Sequence, residues 1–109
     1  MSKKKIKKNS HVTGFSHYNT KPGTGDTFIF HFNTFAKATR GEEGCLHYEL
    51  FQSHGCPTCF IIYHKWESAD HWMEHLGKGH TVTFVDAIDH IVEDVEIIEA
   101  LDSPQTFVR

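Results

Sequence analysis

The chain is short of the features that would place it in a specialised class. Its three cysteines in 109 residues are too few, and odd in number, for a disulfide scaffold. Reduced thiols in a cytosol are expected instead. No apolar run approaches the ~20 residues that span a bilayer. The N-terminus lacks the apolar segment of a secretory signal. No internal repeat or flexible linker divides the chain. These absences leave a single soluble domain, with a cytoplasmic location as the expectation and no membrane partner.

Basic charge is scarce outside one place. Lys3, Lys4, Lys5, Lys7 and Lys8 hold five of the 11 lysines and arginines. The other six face 14 acids, so the formal charge of −3 hides a body at −8. So acidic a body repels nucleic acid rather than recruiting it. Residues 1–10 read as a solvated tail, because a block of like charge repels itself. Phosphates or an anionic surface are the other possible use of such a head.

What is present is ordinary in bulk and unusual in detail. Hydrophobic residues make up 39% and charged residues 23%, as in a globular protein. A chain this long buries roughly 65% of its unfolded surface in one modest core. Ten histidines, however, are a heavy load that needs a reason.

The order of elements is legible from periodicity and punctuation. His11 to Thr20 alternates as a strand, with Val12, Gly14, Ser16 and Tyr18 on one face. Lys21-Pro22-Gly23 ends it. Asp26 is the expected N-cap of a helix whose inner face is Phe28, Phe32, Phe35 and Ala36. Gly41 and Gly44 bracket its end. Cys45 to Gln52 and Phe60 to Trp66 are paired strands across a turn carrying Gly55 and Pro57. Ser68 caps the next helix, which Gly77 and Gly79 break. It resumes at His80 and runs to about Val92, with Phe84, Ile88 and Ile91 inward. Val95 to Leu101 is the last strand, in a domain spanning 11–102, and 103–109 is a tail.

The result is an α+β chain with β-α-β-β-α-β order, the ferredoxin-like pattern. It makes an antiparallel sheet with both helices on one face. The other sheet face has no cover within the chain. Ile61 and Tyr63, or Phe60 and Ile62, must lie on it, so a homodimer packed through the sheets is expected.

Several segments resemble the antibiotic biosynthesis monooxygenase family. They are Lys21-Pro22-Gly23, Glu43-Gly44-Cys45-Leu46, Tyr48-Glu49-Leu50, Tyr63 with Trp66-Glu67-Ser68, His75-Leu76, His80 and Phe84. The resemblance covers nearly all of the chain after the lysine head. It implies a dimeric α+β barrel with a pocket between sheet and helices. It also implies an oxygenase of a quinol or other aromatic hydroxyl compound that works with O₂ and no cofactor. In such chemistry a base removes a phenolic proton, and the electron-rich anion then reduces O₂ inside a dry cavity. The family also contains heme-degrading enzymes, so heme is a second implication.

The resemblance makes His80 and His75 the candidate bases, and histidine suits the task because it titrates near neutrality. Trp66, Tyr63, Tyr48 and Phe84 are the candidate substrate walls. A cap at the resumed helix is the competing use for His80. His64 stands where relatives often carry an acid, and His47 lies on the face opposite Tyr48. His71 and His75 are four apart, but two histidines without a third ligand are a weak metal signal, and no metal site is expected. Cys56 and Cys59, with His54 nearby, suggest a zinc or redox half-site. They precede a strand rather than a helix, so an idle reduced pair is expected. An axial heme ligand would have to be His80 or His90.

Overall fold

The computed structural model describes residues 11–101. The lysine head and the C-terminal tail lie outside the described residues. Seven elements follow one another: β1 (Val12–Thr20), α1 (Gly25–Thr39), β2 (Cys45–Gln52), β3 (Cys59–Trp66), α2 (Ala69–Leu76), α3 (Gly79–Ile88) and β4 (Val92–Leu101). The four strands form one sheet in the order β2-β3-β1-β4, with every neighbouring pair antiparallel. This is the ferredoxin-like α+β arrangement. Among the described residues no helix is long and apolar enough to cross a membrane.

Alternation sorts the sheet into two faces. β1 and β3 pair without interruption from Val12↔Trp66 to Asn19↔Cys59. Phe60, Ile62, His64 and Trp66 therefore point under the helices and are buried. Ile61 and Tyr63 share the outer face with Phe15, which pairs with Tyr63 and packs its ring 5.4 Å away. Phe51 and Ile98 extend that face at 55% and 41% exposure.

The core lies between the inner face and α1 with α3. Phe28, Phe32, Phe35 and Ala36 form the buried stripe of α1, as their spacing predicts. Phe28 stacks on Phe60 at 4.7 Å and Phe35 on Phe84 at 4.3 Å. Ile88 and Ile91 close the far end.

Local chemistry moved several boundaries. Asp26 is not the N-cap of α1. Thr24 holds that position and spends its hydroxyl on the Lys21 carbonyl at 2.6 Å, leaving Asp26 in the first turn. The first residue of α1, Gly25, has to be glycine, because a β-carbon there would collide with the Pro57 carbonyl. Ser68 does cap α2, accepting from the His71 amide at 3.2 Å. α3 ends at Ile88 and β4 begins at Val92, so the last strand takes three residues expected outside it. The Lys21 amide donates to the Ile91 carbonyl at 2.8 Å, which pins this junction beside the end of β1.

Cys56 and Cys59 are joined by a disulfide across the β2–β3 turn, not left as a reduced pair. The zinc half-site that the pair suggested therefore has no thiolates to offer. Cys45 remains the free cysteine.

Candidate active site

Three side chains from three elements meet under the inner sheet face. Glu42 comes from the α1–β2 connection, where its amide donates to the Thr39 carbonyl and its carbonyl accepts from the Cys45 amide. His75 comes from α2 and His80 from the first turn of α3. Nδ1 of His75 lies 2.8 Å from Oε2 of Glu42, and Nε2 of His80 lies 2.6 Å from the same oxygen. The side chains of His75 and Glu42 are 4% and 7% exposed, against 28% for His80.

The helix break makes this convergence possible. On one continuous helix, positions five apart point about 140° away from each other. Gly77 ends α2 with its amide on the Glu74 carbonyl, and Lys78 precedes α3 in extended conformation. The Thr81 hydroxyl then donates to the His75 carbonyl at 2.7 Å, tying the two helices together. His80 thus sits inside α3 rather than capping it.

Glu42 also depends on its neighbour. Gly44 has φ 85°, and a β-carbon there would run into the ring of His71. The tight passage lets the connection reach under α2, where the Glu67 amide donates to the Gly44 carbonyl at 2.8 Å. His71 is held there by the Ser68 hydroxyl at 2.7 Å, so it does not pair with His75.

The hydrogen bonds fix the chemistry of the rings. An ionised carboxylate only accepts, so His75 donates from Nδ1 and His80 from Nε2. In the neutral rings the lone pairs then sit on Nε2 of His75 and Nδ1 of His80. Burial pushes the His75 pKa down, opposed by its hydrogen bond and charge attraction to Glu42. His75 is therefore neutral at pH 7. It packs 4.8 Å from Trp66, 5.6 Å from Tyr48 and 5.7 Å from Phe35 between ring centres.

Behind this group, the Trp66 indole donates to Nδ1 of His64 at 2.9 Å. His64 is thereby an acceptor at that atom, which an imidazolium is not. Its ring lies over Gly14, where a β-carbon would stand 2.6 Å from Nε2.

A cleft of about 210 Å³ opens between α1 and α3 beside the group, lined by His31, Thr34, Phe35, Ala38, His80, Thr83, Phe84 and Ala87. His80 is the one residue shared by cleft and cluster. A larger depression of about 390 Å³ lies at the far end of the sheet, around His17, Cys59, Asp94 and Glu96. It contains neither of the two candidate bases, so the smaller cleft is the candidate site.

The candidate residues of the sequence divide accordingly. His75 and His80 come together, and Phe84 lines the cleft. Trp66 and Tyr48 are buried packing around His75, away from the cleft wall. Tyr63 cannot join them, because it is one residue out of phase with His64 and faces the outer side, 5.8 Å from His47. His90 and His54 are exposed and lie outside the cluster. Sequence reasoning missed Glu42 and His31. Glu42 lies 33 and 38 residues from its partners and carries no local spacing signal. An acid beside the Glu43-Gly44 segment was the available hint.

Among solved structures, the chain is similar to PA3566 from Pseudomonas aeruginosa, with 20% identity, a TM-score of 0.80 and coverage of 88% of this chain and 96% of that one. A provisionally named antibiotic biosynthesis monooxygenase from Deinococcus radiodurans matches with 22% identity, a TM-score of 0.80 and coverage of 90% and 98%. Protein SO0527 from Shewanella oneidensis matches at 22% identity, a TM-score of 0.78 and coverage of 84% and 89%. At these identities the likeness is one of fold. No curated protein matches the chain. The model of the family described as antibiotic biosynthesis monooxygenase matches residues 15–87. That is more than half of the sequence, and the chain belongs to that family.

Proposed function

We propose that this protein is a cofactor-independent monooxygenase of a small aromatic hydroxyl compound, with His80 as the base. The observation that carries the reading is that His80 belongs both to the buried Glu42 cluster and to the cleft. Its Nδ1 lone pair accepts the phenolic proton. Glu42, hydrogen-bonded at Nε2, stabilises the imidazolium that forms. The phenolate gives one electron to O₂, and the radical pair closes a carbon–oxygen bond at a ring carbon bearing hydrogen. The imidazolium of His80 returns its proton to the resulting peroxide anion, and loss of water from the hydroperoxide and its ring C–H leaves the quinone, so phenol plus O₂ becomes quinone plus water. The substrate supplies every electron.

The size of the cleft narrows the substrate class. Its 210 Å³ is below the ~300–1,000 Å³ typical of ligand pockets, which favours a monocyclic ring over a bicyclic one. The stacked Phe35–Phe84 pair would form an apolar wall against such a ring. Oxygen uptake by metal-stripped protein on a panel of monocyclic hydroquinones tests this. His80→Gln should lower turnover by about a hundredfold or more, the usual scale of a general base. Undiminished turnover would remove His80 from the mechanism.

A second copy of the chain covers the outer sheet face in this reading. Phe15, Ile61, Tyr63, Phe51 and Ile98 place an apolar patch there that no element among the described residues covers. Light scattering should give twice the chain mass, and Tyr63→Glu should halve it.

A further inference from the structure

We infer that Glu42, His75 and His80 form a binding site for one divalent transition-metal ion of the Zn²⁺ or Co²⁺ type. The donor atoms of the three residues all lie within 4.8 Å of one another. Two imidazole nitrogens and one carboxylate oxygen are borderline donors. That set suits Zn²⁺, Co²⁺ or Fe²⁺, and disfavours Mg²⁺ and Ca²⁺, which want oxygen.

The apo geometry is close to what an ion needs. The two N···O separations of 2.8 and 2.6 Å are those of hydrogen bonds. Around an ion with bonds of about 2.0–2.1 Å in tetrahedral array they would widen to roughly 3.3 Å. The two N···O contacts must widen by roughly 0.5–0.7 Å while the two nitrogens, now within 4.8 Å, draw together, which rotamer adjustments of the two histidines can supply. An ion would replace the two bridging protons. The charge of Glu42 offsets half of its own, which lowers the cost of burial.

The supports are already in place. Glu42 is held by the turn hydrogen bonds on both sides of it, His75 by Trp66 and Tyr48, and the α2–α3 junction by Thr81. Three protein ligands leave a fourth position for water, as in catalytic zinc sites, and His80, the most exposed of the three, marks the side from which an ion enters.

The site also has a regulatory consequence, which rests on His80 being the base. An ion bound at Nε2 leaves a neutral ring its proton on Nδ1. The lone pair that would accept the phenolic proton is then gone. Metal occupancy and base catalysis are mutually exclusive at this residue, and Zn²⁺ is an inhibitor.

The test is titration of metal-stripped full-length protein with Co²⁺, read by visible d–d absorption, and equilibrium dialysis with Zn²⁺, both without substrate. One ion per chain is expected, with no binding of Mg²⁺. Glu42→Gln, His75→Gln and His80→Gln should each weaken Co²⁺ binding by more than the roughly 10–100-fold typical of outer-shell changes. His90→Gln and His54→Gln should leave it unchanged. Cys56→Ser/Cys59→Ser should also bind normally, which removes thiols as the source. Circular dichroism identifies any variant that fails to fold, and the half-exposed His80 position keeps the test decisive if the buried variants do fail. Absent binding, or binding that survives all three substitutions, overturns the site. Oxygen uptake is measured separately: Co²⁺ binding without uptake by the apo-protein refutes the oxygenase reading alone. Uptake that persists in Zn²⁺-saturated protein refutes the inhibitory link alone.

Discussion

Replacing Glu42 by leucine isolates the cost of the shared acceptor. The change removes the partner of two histidines at once, but the two losses are unequal. His80 is 28% exposed and can turn its Nε2–H toward water. His75 is 4% exposed, and its Nδ1–H is left without an acceptor among the aromatic rings around it. A buried donor stranded in this way costs about 1–3 kcal/mol. Leucine returns part of that by burying apolar surface at a position only 7% exposed. A net loss of about 1 kcal/mol is expected, or a fall of roughly 4–8 °C in Tm for a domain of this size. Urea unfolding of metal-stripped protein, followed by tryptophan fluorescence, measures it. Glu42→Leu/His75→Leu then removes donor and acceptor together, so it should be more stable than the two single losses predict by at least 1 kcal/mol or so. A single variant within about 0.5 kcal/mol of wild type, or strictly additive losses, would mean that the pair contributes nothing to the fold.

Three further outcomes follow from the same geometry. Gly14→Ala pushes a β-carbon to 2.6 Å from the His64 ring, which is backed by Trp66, so overpacking should cost about 1–3 kcal/mol and shift the Trp66 emission; an unchanged spectrum and Tm would show that His64 gives way freely. The Cys45 thiol is pushed up to about 11 by burial first and by Glu42 next. Iodoacetamide at pH 8 should therefore alkylate it on the order of a hundredfold more slowly in folded than in unfolded protein, and equal rates would contradict that environment. His75 has its folded pKa below the unfolded value of 6.5, so the folded state favours the neutral ring. That contribution is full above pH 6.5 and is lost as pH falls through the lower folded value. Stability of metal-stripped protein should drop over that acidic window, and His75→Gln should flatten the drop.

Much of the fold was legible because it rests on periodicity. Phe28, Phe32, Phe35 and Ala36 mark one helical face whatever the rest of the chain does. Ser68 caps because its hydroxyl has a free helical amide beside it. Asp26 misled because capping depends on where the chain turns, and Gly25 had to pass under Pro57. The site was half legible. His75 and His80 stood out through family resemblance, but Glu42 reaches them only after α1, β2 and a broken helix are folded together. Tyr63 shows the reverse error: a residue that matches a family pattern still obeys strand alternation, and parity put it outside. The disulfide was missed because the odd cysteine count and the strand after Cys59 were read as signs of reduced thiols, whereas the tight turn between β2 and β3 brings the two sulfurs together.

The break between α2 and α3 has a consequence for how the molecule opens. Only Gly77 and Lys78 separate the two helices, and the cleft is walled by α1 on one side and α3 on the other. The Phe35–Phe84 stack at 4.3 Å is the latch between those walls. A swing of α3 about Gly77 that widens the cleft carries His80 with it, away from Glu42. Cleft width and the His80–Glu42 hydrogen bond are thus coupled through one helix, so a guest too large for the cleft would have to break that bond to enter.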